Sequence, residues 1–335
     1  MQASRRVVLL GVICMSVSAV AVGAPPTFDK PFRIGMIGLD TSHVVAFTKI
    51  FNTAKKPDPL ARFRVVAAFK GGSPDIPSSA DRLEKFTQTL HEQFGVEICD
   101  TIEDLCKKAD GIMLESVDGR PHLAQARPVI KAGLPLYIDK PMAASLADVI
   151  EIFRLAEAAN VPCWSASSLR FDSNIVGLKQ KVRGQRVQKT IAWGPCHREP
   201  HHPDLFWYGV HGVEILFTLM GPGCKTVVRL KDQDVVTGTW ADGRIGVFDP
   251  RRKDYGAEII TDEGTVKTIK KGDYYRKMLE AVAKCFETGK APITPAETID
   301  LFAFMEAADE SKRQGWGEVK IADVVAKAKK GAARK

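Results

Sequence analysis

Between residues 32 and 166 the chain alternates short apolar runs with amphipathic ones, and few folds accept that order. FRIGMIGLD (32–40), FRVVAAF (63–69) and the segments 96–99, 111–117, 134–138 and 161–166 read as buried strands. Between them, 41–54, 80–94, 102–109, 121–132 and 146–159 space their apolar residues as helices do. Gly133 is a carboxyl-terminal stop for the fourth helix. Strands apolar on both faces, alternating with helices, build a parallel sheet covered on both sides. The fold class expected is α/β: a Rossmann-like, doubly wound parallel sheet over 32–170.

After about residue 170 the pattern changes. Segments 187–193, 226–230, 234–240, 244–248, 257–261 and 264–270 alternate apolar and polar residues between Gly and Asp turns, as in an antiparallel sheet with one solvated face. Helical spacing returns at 206–220, 274–287 and 295–313. A second, α+β domain with a mostly antiparallel sheet is therefore expected over 171–325. A basic tail, 326–335, is expected to be solvated.

The amino terminus reads differently. Arg5 and Arg6 precede an apolar stretch, 7–22, that ends in the small residues Gly23 and Ala24. That is the layout of a twin-arginine-like signal peptide, 1–24, followed by a linker, 25–31. The expected localisation is exported, periplasmic or extracytoplasmic, with no stable membrane span after processing. A content of 45% hydrophobic and 26% charged residues excludes a disordered chain. The net charge of +8 is partly in the tail, and no basic–aromatic interleaving argues for nucleic acid. Outside the signal, six cysteines are dispersed with no CxxC pair, so no disulfide pairing is assigned.

The segment YIDKPMA (137–143) ends a strand in Asp139, Lys140 and Pro141. In an open parallel sheet, ligands bind outside the strands' carboxyl ends, so Lys140 would present its ammonium to that crevice. The tripeptide resembles the Glu-Lys-Pro signature of the glucose–fructose oxidoreductase / inositol dehydrogenase / MocA family, with Asp139 in place of the usual Glu. Further segments carry the resemblance through nearly all of the chain after the signal. RPHLAQARPVIKAG, with His122, resembles the helix before the lysine strand, although Pro121 and His122 are closer together than is usual. LRFD (169–172) resembles the crossing into the second domain. WYGVHGVEILFTLMG is similar to the helix that bears a catalytic histidine, here His211, and ITPAETIDLFAFMEAADESKRQG to the final helix.

The resemblance implies NADP or NAD as cofactor and a small carbohydrate as partner. It implies Lys140 as the electrostatic helper at the reacting oxygen and His211 as the acid/base group. It also implies a polar loop lining the sugar pocket, with Trp193, His201, His202, Trp207 and Tyr208 as substrate contacts. Trp193, Trp207 and Tyr208 could stack on a pyranose face. The open face of the second sheet implies a homo-oligomer.

Two departures stand against that pattern. Trp207 occupies the position four before the histidine where the family often carries an acid, which leaves Asp204 as the nearest acid to orient His211. In the phosphate loop, GLDTSH places Gly38 first, then Asp40 and His43 where glycines are expected. Either Asp40, Thr41 or Ser42 caps the following helix and leaves later N–H groups for phosphate, or dinucleotide binding is lost or displaced. At the end of the second strand, Lys70 and Ser73 suit a 2′-phosphate better than a free diol and favour NADP. The expected cofactor contacts are thus Gly38, Asp40, Thr41, Ser42, His43, Lys70, Ser73, His122 and Asp139.

Four histidines fall in CHREPHHPDLFWYGVH (His197, His201, His202 and His211), but with no clean HxxxH on a helix and no CxxC pair, no metal site is assigned. The expected activity is hydride transfer from a sugar, polyol or derivative to NAD(P). The alternatives are a non-catalytic extracytoplasmic carbohydrate-binding protein with a degenerate cofactor site, and a metal-dependent hydrolase built on the histidine cluster.

Overall fold

The computed structural model describes residues 30–269 and 272–333. The expected signal peptide and most of the linker lie outside the described residues. The alternating segment forms β1 (Phe32–Ile37), α1 (Ser42–Thr53), β2 (Phe63–Phe69), α2 (Pro77–Phe94), β3 (Glu97–Cys99), α3 (Ile102–Lys108), β4 (Gly111–Leu114), α4 (His122–Lys131), β5 (Leu136–Asp139), α5 (Leu146–Ala158) and β6 (Cys163–Ala166). The strands pair in parallel in the order β3-β2-β1-β4-β5-β6, the doubly wound sheet expected, and that order reverses direction between β1 and β4. Local chemistry sets the helix starts. Thr41, Thr101 and Ser145 each accept a hydrogen bond from a backbone N–H of the first turn they cap.

The second half contains α6 (Ser173–Lys181), β7 (Val187–Trp193), α7 (Gly209–Met220), β8 (Cys224–Arg229), β9 (Val236–Trp240), β10 (Ile245–Asp249), β11 (Gly256–Thr261), β12 (Gly264–Ile269), α8 (Tyr274–Thr288), α9 (Pro295–Arg313), β13 (Val319–Lys320) and α10 (Ile321–Ala332). Its sheet runs β12-β11-β7-β10-β9-β8-β13, antiparallel except where β7 and β10 pair in parallel. Helices α7 and α9 pack against one face of it.

Three differences from the sequence reading have local causes. Residues 203–208 form turns, so α7 begins at Gly209 rather than 206. Helix α6 was not anticipated; Asp172 starts it by accepting from the N–H groups of Asn174 and Ile175. The expected solvated tail is helical as far as Ala332, because Ile321, Val324, Val325, Ala328 and Ala332 share one helical face. That face packs on α5 and α9.

Both sheets lie in a single compact unit, Pro31–Lys335. One face of the parallel sheet is closed from the far end of the chain: Met278, Leu279, Val282 and Phe286 of α8 share a core with Ile34, Met36, Phe47, Phe51 and Phe63. The rings of Phe32 and Phe286 stack at 5.5 Å. All six cysteines of the described residues are unpaired. No helix among the described residues is long and apolar enough to cross a membrane.

Candidate active site

The sheet's order reverses between β1 and β4, and the loops that follow these two strands touch. Gly38 adopts φ +85°, and a Cβ there would collide with the Ser116 backbone. Glycine is therefore required by both conformation and space. Two residues on, Asp40 is fully buried. Its Oδ1 accepts from the Val117 N–H at 2.9 Å and its Oδ2 from the Ser79 hydroxyl at 2.6 Å. Ser79 Oγ in turn accepts from the Ser73 N–H at 2.8 Å, and the Ser73 hydroxyl donates to Asp118 at 2.6 Å. Asp40 thus ties the loops after β1 and β4 together, and Ser73 ties the loop after β2 to the same place.

These bonds revise the expected roles of several residues. Asp40 and Ser73 spend their polar atoms on protein partners. Lys70 pairs with Glu84 of α2, an exposed contact that a ligand phosphate could displace at small cost. His122 is fully buried, its ring nitrogens 2.9 Å from the Ser116 carbonyl and 3.1 Å from the Met142 carbonyl. Burial lowers its pKa, so it is a neutral strut between two loops rather than a surface offered to a cofactor.

Above this knot lies a cavity of ≈ 310 Å³. Thr41, Ser42 and His43 at the amino end of α1 line it, together with Ser78 and Arg82 of α2, Val117, and Lys140 after β5. The second half contributes Ser168, Leu169, Trp207, Tyr208, His211, Tyr255, Tyr274 and Tyr275. Lys140 is only 9% exposed, with Nζ 5.7 Å from the centre of the Tyr208 ring, within cation–π range. Lys140 and His211, from opposite ends of the chain's plan, therefore face one space.

His211 is oriented by Ser167, not by Asp204: its Nδ1 lies 2.6 Å from Ser167 Oγ. That hydroxyl oxygen accepts from the Leu169 N–H and has a second lone pair to accept the ring's Nδ1–H, the tautomer in which Nε2 can take a proton. Glu214 accepts from the Ser167 N–H at 3.1 Å and is held by Arg170 at 2.6 Å, and Arg170 also binds Glu297. Burial raises the Glu214 pKa against the opposing pull of Arg170. Asp204 points elsewhere, to Arg229 at 2.9 Å and Lys312 at 2.7 Å.

Beneath α1, the buried Asp139 carboxylate lies 2.7 Å from His43 Nδ1 and accepts from the Tyr137 hydroxyl at 3.2 Å. Glu115, at the end of β4, is fully buried, and among the described residues neither carboxylate oxygen has a hydrogen-bond partner. Burial, with the Asp139 charge beside it, raises its pKa well above the ordinary carboxyl value.

Other expected substrate contacts lie outside the cavity. Trp193 is buried on the second sheet with cations on its ring, Arg252 at 4.7 Å and Lys267 at 5.1 Å. His201 and His202 both bind Glu199, at 2.8 and 3.0 Å, and His202 Nε2 accepts from the Gly119 N–H at 3.1 Å. The four clustered histidines do not converge on one point: His197 lies edge-on to Tyr208, 5.2 Å away. Sequence reasoning missed Ser167, Arg82, Glu115 and the three tyrosines. The Ser run before LRFD and the DYY at 273–275 were the available signals.

A doubly wound parallel sheet whose carboxyl-terminal crevice meets helix and loop residues of a second, sheet-containing half defines a two-part α/β architecture of the dinucleotide-binding class. The family model GFO_IDH_MocA, described as an oxidoreductase family with an NAD-binding Rossmann fold, matches residues 32–167. No curated protein matches it by sequence. Among solved structures, GenD2 from gentamicin A biosynthesis in complex with NAD is 16% identical with a TM-score of 0.69, over 89% of this chain and 99% of that one. A probable dehydrogenase from Thermotoga maritima is 17% identical with a TM-score of 0.69, over 88% and 100%. Apo scyllo-inositol dehydrogenase from Lactobacillus casei is 13% identical with a TM-score of 0.68, over 88% and 100%. At such identities these likenesses show the fold.

The residues present fit an NAD-type group at its charged and reactive parts. The amino end of α1 opens into the cavity beside Arg82, as a pyrophosphate requires, and Lys140 stands at the carboxyl end of β5. The fit differs along the β1–β4 crevice, where Asp40 replaces the usual second glycine and binds Val117.

Proposed function

We propose that the protein is an exported NAD(P)-dependent oxidoreductase acting on a sugar, polyol or related hydroxyl compound. The observation that carries this reading is the meeting of Lys140 and His211 in one cavity at the amino end of α1. The cofactor, held by Thr41, Ser42 and Arg82, would supply the hydride acceptor. His211 removes the hydroxyl proton as the carbon is oxidised, and Ser167 fixes the ring for that transfer. The Lys140 ammonium stabilises negative charge on the same oxygen. Trp207 supplies an apolar wall, while Tyr208, Tyr255, Tyr274 and Tyr275 bring hydroxyl-bearing rings suited to a polyol. Lys70 at the end of β2 supports NADP over NAD if it exchanges Glu84 for a 2′-phosphate.

The scyllo-inositol dehydrogenase and the NAD-bound GenD2 that share the fold make polyols and NAD the first ligands to try. Titration of the purified chain with NADH and NADPH, followed by fluorescence, should show saturable binding. A panel of inositols, hexoses and their acids should then reveal turnover that Lys140→Ala abolishes. Absence of any dinucleotide binding would overturn the reading. In that case the Asp40–Val117 bond, which occupies the crevice at the topological switch, would favour a carbohydrate-binding protein without a cofactor.

The outer face of the second sheet, where Ile191 of β7 pairs with Val247 of β10 and Ile260 stands on β11 two residues beyond Glu258, the other partner of Ile191, supports a homo-oligomer. Light scattering on the purified chain should return a mass at least twice 36.7 kDa, less any cleaved signal.

A further inference from the structure

His43, Glu115 and Asp139 reach the floor of the cavity from three elements: the first turn of α1 and the carboxyl ends of β4 and β5. All three are buried, and one ligand atom from each lies within 4.8 Å of the others. Ligands of one Zn²⁺ ion sit about 2.0–2.2 Å from it, hence at most roughly 4.4 Å from one another, so closing on an ion needs shifts of a few tenths of an ångström. His43 also lines the cavity, which leaves a side of the cluster open to it.

The second observation is Glu115 itself. Both of its oxygens are shut away from solvent, and among the described residues neither has a donor. Asp139 is provided with His43 and the Tyr137 hydroxyl, so the shortage is specific to Glu115. A buried carboxylate without a partner is costly, and native proteins satisfy such groups with a proton, a water or a metal. His43 and the Lys140 ammonium both act on Asp139, and His43 is walled by the rings of Phe47 and Tyr275. The donor set of one imidazole and two carboxylates suits a borderline divalent ion such as Zn²⁺ or Mn²⁺.

We propose that His43, Glu115 and Asp139 form a binding site for one divalent transition-metal ion at the base of the cavity, with an open coordination position facing the ligand space. The site is separate from the histidines at 197–202, which do not converge. It goes beyond the oxidoreductase reading and stands or falls independently of it, because dinucleotide titration and metal titration are separate readouts.

The test uses the full chain, stripped with a chelator and titrated calorimetrically with ZnCl₂ and then MnCl₂. About one ion per chain is expected, with a rise in melting temperature on loading. Glu115→Gln keeps the shape of the acid and should remain folded by circular dichroism. Its affinity should fall at least about tenfold, the lower end of what even lost support around ligands costs. His201→Ala, outside the cluster, should bind as the wild type does. Should Glu115→Gln fail to fold, Asp139→Asn reads the same contact. A wild-type chain that takes up no ion, or variants at Glu115 and Asp139 that bind as tightly as wild type, would overturn the site; in the first case a retained proton is what satisfies Glu115.

Discussion

Asp40 stands where a glycine of the phosphate loop is usual, and the structure turns its carboxylate inward, onto Val117 and Ser79. The departure was legible in the sequence, but its consequence was not. A residue type shows that a side chain has been added; only the fold shows which donors surround it. Asp40→Ala would leave two buried donors unmatched, at about 1–3 kcal/mol each, and a thermal melt should show a clear drop in midpoint. Lys140 and His211 were readable because each sits in a motif with its own flanks. Ser167 was not, because nothing in SASSLRF says which serine faces a helix 44 residues later. His211→Asn should lower turnover by roughly 10²–10⁴-fold while leaving the melting temperature near that of wild type. Ser167→Ala should cost less, and should move the acid limb of the pH–rate profile, since it acts by holding the ring.

At the scale of elements, the parallel sheet was transparent because its strands are apolar throughout and its helices are capped by Thr and Ser where such residues belong. The last helix was opaque for the opposite reason: five lysines and arginines after 326 mask an apolar face of wide spacing. Tertiary packing on α5 and α9 decides that segment, and charge does not. Contacts between elements of the second half concentrate at Arg229 of β8. Fully buried, it binds Asp234 at 2.6 Å, Asp309 of α9 at 2.8 Å and Asp204 of the 203–208 turn at 2.9 Å. Burial pushes the Asp309 carboxyl up to about 7, with Arg229 pulling it down and the charges of Asp204 and Glu306 pushing it further up. The folded value lies above the ordinary 3.8, so the folded chain holds this proton more tightly than the unfolded one. The associated stability is complete below pH about 4 and is lost as pH rises through 7. Melts of wild type across pH 5–8 should therefore fall more steeply than those of Asp309→Asn, which carries no such proton.

For the whole molecule, the two-part plan was legible in the change of periodicity near residue 170, yet the parts are less separable than that change suggests. The parallel sheet is covered on one face by α8, more than 100 residues beyond its last strand, and α10 returns to rest on α5. A fragment ending at 170 would expose Ile34, Met36, Phe47 and Phe63, each worth about 1.5–3 kcal/mol of burial. Expressed alone, it should lack a cooperative melt and bind a dye such as ANS, whereas the chain from 31 to 335 should melt in one transition.

The closure of the first sheet by α8 also bears on descent. A segment that matches a family model from 32 to 167 invites treatment as a cassette that could pass between genes. Here its hydrophobic lid is encoded more than 100 codons further on, so an exchange at the apparent boundary would part the sheet from its cover. Substitutions in β1, α1 and α8 are consequently expected to be inherited as compensating sets.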